Sequence, residues 1–255
     1  MKKEMRVAVG AVVVVISLVL VLLAYTAYTR PSTLSSPLSV TSMKKYIINL
    51  DRRADRMAVT VPNLSSFGFT DVERWPAIDA RRMHRSEVER LVRPEERAPI
   101  WSNRRTKHSE LSIGAVGCYL SHVQIWASLD RDPVVIFEDD TNPTLTAGEV
   151  DAVLTDLPDD WDILFLGVWS DHHDRAKGLS VKRIERFYGM HAYIINTRCV
   201  SALLKIALPM SMQIDSWLSE LAIRGSLRIY TIANSGWVQN TSINATDIQT
   251  PIAPE

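Results

Sequence analysis

The chain is poor in cysteine, has no net charge to speak of and shows no internal repeat, and each absence narrows what it is. Only Cys118 and Cys199 occur among 255 residues, too few for a disulfide scaffold or a four-thiolate zinc site. Both stand in apolar surroundings, so they read either as core residues or, in an oxidising compartment, as a pair. Lys and Arg number 29, as do Asp and Glu. That balance provides neither the basic surface that nucleic acid requires nor a polyacidic tail. A composition of 46% hydrophobic and 23% charged residues is that of an ordinary globular chain and excludes disorder as the main state. The length suits one domain with a real core plus an appendage.

The appendage is at the N-terminus. Residues 7–29, VAVGAVVVVISLVLVLLAYTAYT, carry no charge. As a helix they would span about 34 Å, against roughly 30 Å of bilayer hydrocarbon. Lys2, Lys3 and Arg6 precede the run and only Arg30 follows it before Lys44. The positive-inside rule then leaves residues 1–6 as a cytosolic tail and translocates the body. A cleaved signal peptide is the competing reading, but the run exceeds the usual apolar core of such a peptide. The expectation is a type II, single-pass membrane protein with its main domain lumenal or extracytoplasmic. Residues 31–42, PSTLSSPLSVTS, hold nine Ser, Thr or Pro in twelve positions. They cannot bury enough apolar surface to order themselves and mark 30–43 as a stalk, which leaves 44–255 as the folded domain.

Within that domain, short apolar strand patterns alternate with helical ones. Strands are expected at MKKYIINL (43–50), VERWPAID (72–79), VVIF (134–137), WDILFLG (161–167), HAYIIN (191–196) and LRIYTIA (227–233). Helices are expected from near Arg52, disturbed at Pro62, then at 114–129, near 146–156, at CVSALLKIAL and at DSWLSELAI. The 114–129 helix places Val116, Leu120, Val123 and Trp126 or Ala127 on one face. Residues 80–110 are charged and broken by Pro94 and Pro99, so loops and at most one short helix are expected there. Strands separated by helices imply a mainly parallel α/β sheet, whose ligand crevice lies at the carboxyl ends of its strands.

At one such end the strand VVIF runs into Glu138, Asp139 and Asp140. Alternation along the strand would turn Glu138 and Asp140 to one side and Asp139 to the other. Two carboxylates on one side suit Mg²⁺ or Mn²⁺, hard cations that prefer oxygen ligands, and a diphosphate would complete the shell. The same acids could instead cap the turn Asp140-Thr141-Asn142-Pro143. A phosphorelay receiver domain also carries an acid pair after a strand. It needs a phosphoacceptor Asp ending a later strand and a Lys ending the last one, and this chain has neither.

Four segments in order carry a family resemblance: YIINLDRRADRM (46–57), LSIGAVGCYLSHVQIW (111–126), VVIFEDD, and YGMHAYIINTRCVSALL (188–204) followed by QIDSWL (213–218). They resemble glycosyltransferase family 25, which includes lipopolysaccharide and collagen galactosyltransferases, and WVQNTSI resembles the family's terminal signature. The resemblance covers about residues 44–243. It implies an α/β, Rossmann-like nucleotide-sugar transferase fold of the GT-A type following the transmembrane helix. It also implies a UDP-sugar donor, a divalent cation (Mn²⁺ or Mg²⁺) and a glycan or protein hydroxyl as acceptor. Ala115 stands where the family often has Glu, which removes any role resting on that residue.

On this reading Asp140 and Glu138 hold the metal. Asn49, Arg52, Arg56, Ser121, His122, Glu138 and His191 are candidates for donor contact, and Asp139 is structural. Each Arg reads equally well as part of a solvated first helical turn, His122 reads sooner as a satisfied, partly buried histidine than as a metal ligand, and His191 reads equally as a maker of a structural hydrogen bond. His122 follows Cys118 by four residues on one helix, a spacing that permits shared ligation. His172 and His173 fall in a polar loop. Asp215 is the candidate general base of an inverting transfer, although Asp before SWLSELAI is also a good helix N-cap. Sequons at Asn63, Asn240 and Asn244 add faint support for lumenal placement. The expected activity is transfer of a hexose, galactose by preference. The alternative is a catalytically idle, membrane-tethered binding or chaperone-like domain that kept the fold.

Overall fold

The computed structural model of the chain describes residues 38–101, 109–169, 178–235, 237–240 and 247–248. The expected membrane span at 7–29, most of the stalk, His172, His173 and the sequon at Asn244 lie outside the described residues. Among the described residues, no helix is long and apolar enough to cross a membrane.

The strands are β1 (Lys45–Asn49), β2 (Val72–Pro76), β3 (Val134–Glu138), the short β4 (Thr141–Asn142), β5 (Ile163–Trp169), β6 (Ser180–Arg183), β7 (Tyr188–Ile195), β8 (Ile229–Ala233) and β9 (Val238–Gln239). The α-helices are α1 (Ala54–Ser66), α2 (Arg85–Leu91), α3 (Ile113–Ala127), α4 (Ala147–Leu154), α5 (Val200–Ile206) and α6 (Ile214–Ile223). Seven strands form one sheet in the order β2-β1-β3-β7-β5-β8-β6, and β4 pairs with β9 in a separate ribbon. β1, β2, β3, β5 and β8 run one way, whereas β7 and β6 run against them. The sheet is therefore mixed. The expectation of a mainly parallel sheet fails at its centre, because β7 inserts antiparallel between β3 and β5. β6 and β7 follow β5 with no helix between them among the described residues, and both run against it.

Both faces of the sheet are covered. Val134 and Ile136 of β3 join one core with Val116, Leu120, Leu203 and Leu218 of α3, α5 and α6. Val135 and Phe137 join a second core with Leu64, Val150 and Val153 of α1 and α4. Burial on both faces is what a near-continuous apolar strand such as VVIF requires. α3 is not the amphipathic surface helix that its spacing suggests. Val116, Tyr119, Ser121, His122, Ile125 and Trp126 are all buried, so the helix is enclosed around most of its circumference. Ala115, at the family's Glu position, is buried with them. α1 runs through Pro62 without interruption; Pro62 lies on its exposed side. The segment after β8 is fastened to the sheet by Trp237, which lies stacked near Phe137 (ring centres 6.2 Å apart) and donates Nε1 to Thr141 Oγ1 at 2.7 Å.

Candidate active site

Parallel pairing of β1 with β3 sets Ile48 opposite Glu138, which brings the carboxyl ends of the two strands together. Glu138 keeps the alternation of β3 and faces α3. Its Oε1 lies 3.6 Å from His122 Nε2, too long for a hydrogen bond. Its Oε2 lies 3.5 Å from Gln239 Nε2. Burial raises the pKa of the Glu138 carboxyl, and the His122 ring beside it more than offsets that, leaving it below the usual glutamate range.

Asp139 faces the opposite side, toward α1. It accepts from Asn49 Nδ2 at 2.7 Å and from Arg56 Nη1 at 2.6 Å, and its backbone carbonyl accepts from Thr60 Oγ1 at 2.6 Å. Asp140 does not follow Glu138 to the α3 side, because β3 stops at Glu138 and a turn redirects the chain. Its Oδ2 sits 3.2 Å from Arg56 Nη1, while its buried Oδ1 has no hydrogen-bond partner. Burial and the charge of Glu138 push the Asp140 carboxyl up to about 7, against the pull of Arg56.

His122 is held by the core rather than by the cleft. Its Nδ1 lies 2.8 Å from Tyr193 Oη, and that hydroxyl also accepts from Trp126 Nε1 at 2.9 Å. The ring is thereby fixed with Nε2 turned toward Glu138, buried and without a hydrogen-bond partner. Cys118, one turn earlier on α3, brings its Sγ within 4.8 Å of His122 and Glu138 ligand atoms. Burial, reinforced by the surrounding acids, raises the Cys118 thiol well above its ordinary range. Without a cation it is a neutral thiol, and the oxygen donors of the cleft, the carboxylates of Glu138 and Asp140, suit a hard cation. The unpartnered Asp140 Oδ1 and His122 Nε2 belong to residues that line one cleft with Glu138, and a cation held in that cleft would draw on such groups. The residues present fit a divalent metal.

The other candidates fall around this centre in different ways. Asn49 is buried and does not line the cleft. Its Nδ2 also donates to the Arg53 carbonyl and its Oδ1 accepts from Arg74 Nε, so it positions Asp139 rather than meeting a ligand. Ser121 lines the cleft, but its hydroxyl accepts from Ile78 N and donates to Gly117 O. His191 is buried behind the cleft with Nδ1 unpartnered; burial lowers its pKa to about 4, against the charge of Glu138. Asp215 is not the N-cap of α6, because Gln213 holds that position. Its Oδ2 accepts from Gly189 N at 2.8 Å and its Oδ1 from Ser216 N at 2.7 Å. It does not line the cleft, although its charge is felt at the Cys118 thiol. Cys118 and Cys199 are unpaired. The Asn63 side-chain amide donates to Asn142 Oδ1 from within α1.

Several residues at the site carry no signal in the sequence. Arg53 and Arg81 join Arg52 and Arg56 around one carboxylate, that of Asp247. Gln239 reaches Glu138 from β9, where the WVQNTS signature is its only hint. The acid-bearing cleft is about 80 Å³. A second cavity of about 380 Å³ lies near α6, lined by Tyr119, Met212, Trp217 and Glu220 among others, and shares no lining residue with it.

Comparison with known proteins places this arrangement. Residues 42–146 match glycosyltransferase family 25, described as "LPS biosynthesis protein". A "Glycosyltransferase 25 family member" of Anopheles gambiae is 31% identical over 99 residues, 37% of this chain and 16% of the relative. Its counterpart in Drosophila pseudoobscura pseudoobscura is 31% identical over 101 residues, again 37% of this chain and 15% of the relative. The chain thus spans about a sixth of the length of these relatives. Among solved structures, an active-site mutant of LgtC is similar over 73% of this chain and 72% of its own, with 14% identity and a TM-score of 0.38. The inositol-1-phosphate CTP transferase from T. maritima is similar over 82% and 94%, with 14% identity and a TM-score of 0.36. Asn49, the four arginines, His122 and all three acids lie within the residues that match the glycosyltransferase family 25 model.

Proposed function

We propose that the domain transfers a hexose, galactose by preference, from a UDP-sugar to a hydroxyl of a glycan or protein, with inversion and with Mn²⁺ or Mg²⁺. The observation that carries this is one cleft lined by Glu138, Asp140 and His122, with Asp140 Oδ1 and His122 Nε2 buried and unpartnered, beside an arginine cluster within the segment that matches family 25. Glu138 and Asp140 would hold the cation. The chemistry supplied there, when a cation is bound, is neutralisation of charge on the departing diphosphate.

The remaining work falls to side chains. Arg52 and Arg56 line the cleft, and their guanidinium forks match phosphate oxygens. Asn49 and Thr60 fix Asp139, which in turn orients Arg56 toward Asp140. Asp215, its carboxylate pinned by two backbone N–H groups, takes the proton of the acceptor hydroxyl as the sugar carbon is attacked. The apolar run at 7–29 supports a membrane-tethered placement with this domain lumenal or extracytoplasmic.

The test is hydrolysis of UDP-galactose, UDP-glucose and UDP-N-acetyl sugars with Mn²⁺, before and after chelation. Galactose release should lead the panel and stop with chelation. Neither hydrolysis nor UDP binding would point instead to an idle domain that kept the fold.

A further inference from the structure

Four guanidinium groups meet at the mouth of the acid-bearing cleft, and a carboxylate from far along the chain sits among them. Arg52 Nη1 donates to Asp247 Oδ1 at 2.5 Å and Arg53 Nη1 to Oδ2 at 2.5 Å. Arg56 Nη2 and Arg81 Nη1 each lie 3.8 Å from an Asp247 oxygen, and Arg81 Nη2 donates to the Asp247 carbonyl at 2.7 Å. The next residue is fastened as well: Ile248 O accepts at 2.6 Å from Ser112 Oγ, the N-cap of α3. Gly114 lies directly beneath this peptide, where a Cβ would run into the Asp247 carbonyl.

Two features suggest that the carboxylate is a substitute for another anion. Guanidinium forks suit the oxygens of phosphate as well as those of carboxylate, and besides the bonds of Arg52, Arg53 and Arg56 to Asp79, Asp55, Asp139 and Asp140 all four arginines turn toward Asp247. The cleft that Asp247 and Ile248 help to line is also only about 80 Å³. Small-molecule sites usually offer roughly 300 Å³ or more. With Asp247 in place, the arginines and the acids share a cleft too small for a nucleotide.

We propose that Arg52, Arg53, Arg56 and Arg81 form a phosphate-binding site that Asp247 occupies in the resting chain, so that a diphosphate must displace Asp247 to bind. This deepens the donor reading and rests on it for the identity of the diphosphate, but the anion site itself does not require uridine or a sugar. Burial raises the Asp247 carboxyl's pKa, yet bonds from Arg52 and Arg53 outweigh burial and hold it below the usual aspartate range. The competitor therefore stays charged under ordinary conditions. A ligand that must first displace an internal occupant binds with an affinity reduced by the fraction of open sites.

The experiment is titration calorimetry on the whole chain with inorganic pyrophosphate and with UDP, each in the presence of Mn²⁺. Asp247→Asn should tighten pyrophosphate about tenfold or more, the factor by which an internal competitor lowers the open fraction. Should that variant fail to fold, Gly114→Ala dislodges the same peptide from below and should tighten pyrophosphate likewise. Unchanged or weaker pyrophosphate binding in the folded variants would overturn the proposal, as would absence of binding to any of the proteins. Tightened pyrophosphate without UDP binding would keep the anion site and remove the donor reading. Equal UDP and pyrophosphate affinities in wild type and variants would keep the donor reading and remove Asp247 as competitor.

Discussion

At the scale of single residues, adjacent acids at one strand end serve different purposes. Asp139 is spent on Arg56 and Asn49 inside the domain, and removing its charge leaves a buried guanidinium short of its closest partner. Asp139→Asn should cost about 3 kcal/mol of stability, the range seen when one side of a buried ion pair is removed, measured by urea unfolding. Asp215→Asn should lower transfer by a hundredfold or more, since a positioned base contributes about 10²–10⁴-fold, while calorimetric UDP affinity stays as in the wild type. Wild-type turnover would remove Asp215 from the mechanism. His191 gives a pH signature. Its pKa is about 4 in the folded chain against 6.5 ordinarily, so between those values the unfolded state binds more protons. Stability contributed by the neutral ring is present above pH 6.5 and is lost as pH falls toward 4. The full difference is on the order of 3 kcal/mol. His191→Gln should flatten that part of the stability profile, followed by thermal unfolding from pH 7 to pH 4.

At the scale of elements, the close approach of α3 to the segment after β2 decides where His122 and Cys118 stand. Gly117 faces the Ile78 carbonyl and the Ala80 backbone with no room for a side chain, and Ser121 accepts from Ile78 N one turn later. Gly117→Ala should push α3 away, destabilising the domain by about 1–3 kcal/mol as overpacking does, read by chemical denaturation. This scale also shows what the sequence could reveal. β1, β3, β5, β8 and the enclosed α3 announce themselves through apolar runs bounded by polar turns. β6 does not: SVKR is an edge strand, partly exposed and charged, whose partner β8 lies some fifty residues downstream, and local pattern carries no trace of it. Without β6 in view, nothing in the pattern between β5 and β7 showed that the chain turns back after β5. The acids were legible because three charges after VVIF violate the local pattern. Arg53, Arg81, Gln239 and Asp247 were not, because their role exists only once distant segments meet.

At the scale of the whole molecule, a cation that binds only the folded chain must stabilise all of it. Raising Mn²⁺ to a hundred times its dissociation constant should add about 2.7 kcal/mol, seen as a concentration-dependent rise in Tm. Asp140→Asn should abolish that rise while leaving the metal-free Tm close to wild type. A full Mn²⁺ response in the variant would take Asp140 out of the cation site.

The pairing of β9 with β4 has a consequence in the order of synthesis. β1 through β8 can assemble the seven-stranded sheet by residue 233, with the acids already at the end of β3. Gln239, Trp237 and Asp247 emerge from the ribosome only afterwards. Residues up to 233 thus carry the sheet, the acids and the arginines, and the residues that complete the cleft come from beyond it. A change in those later residues therefore alters the mouth of the cleft without touching any strand of the seven-stranded sheet.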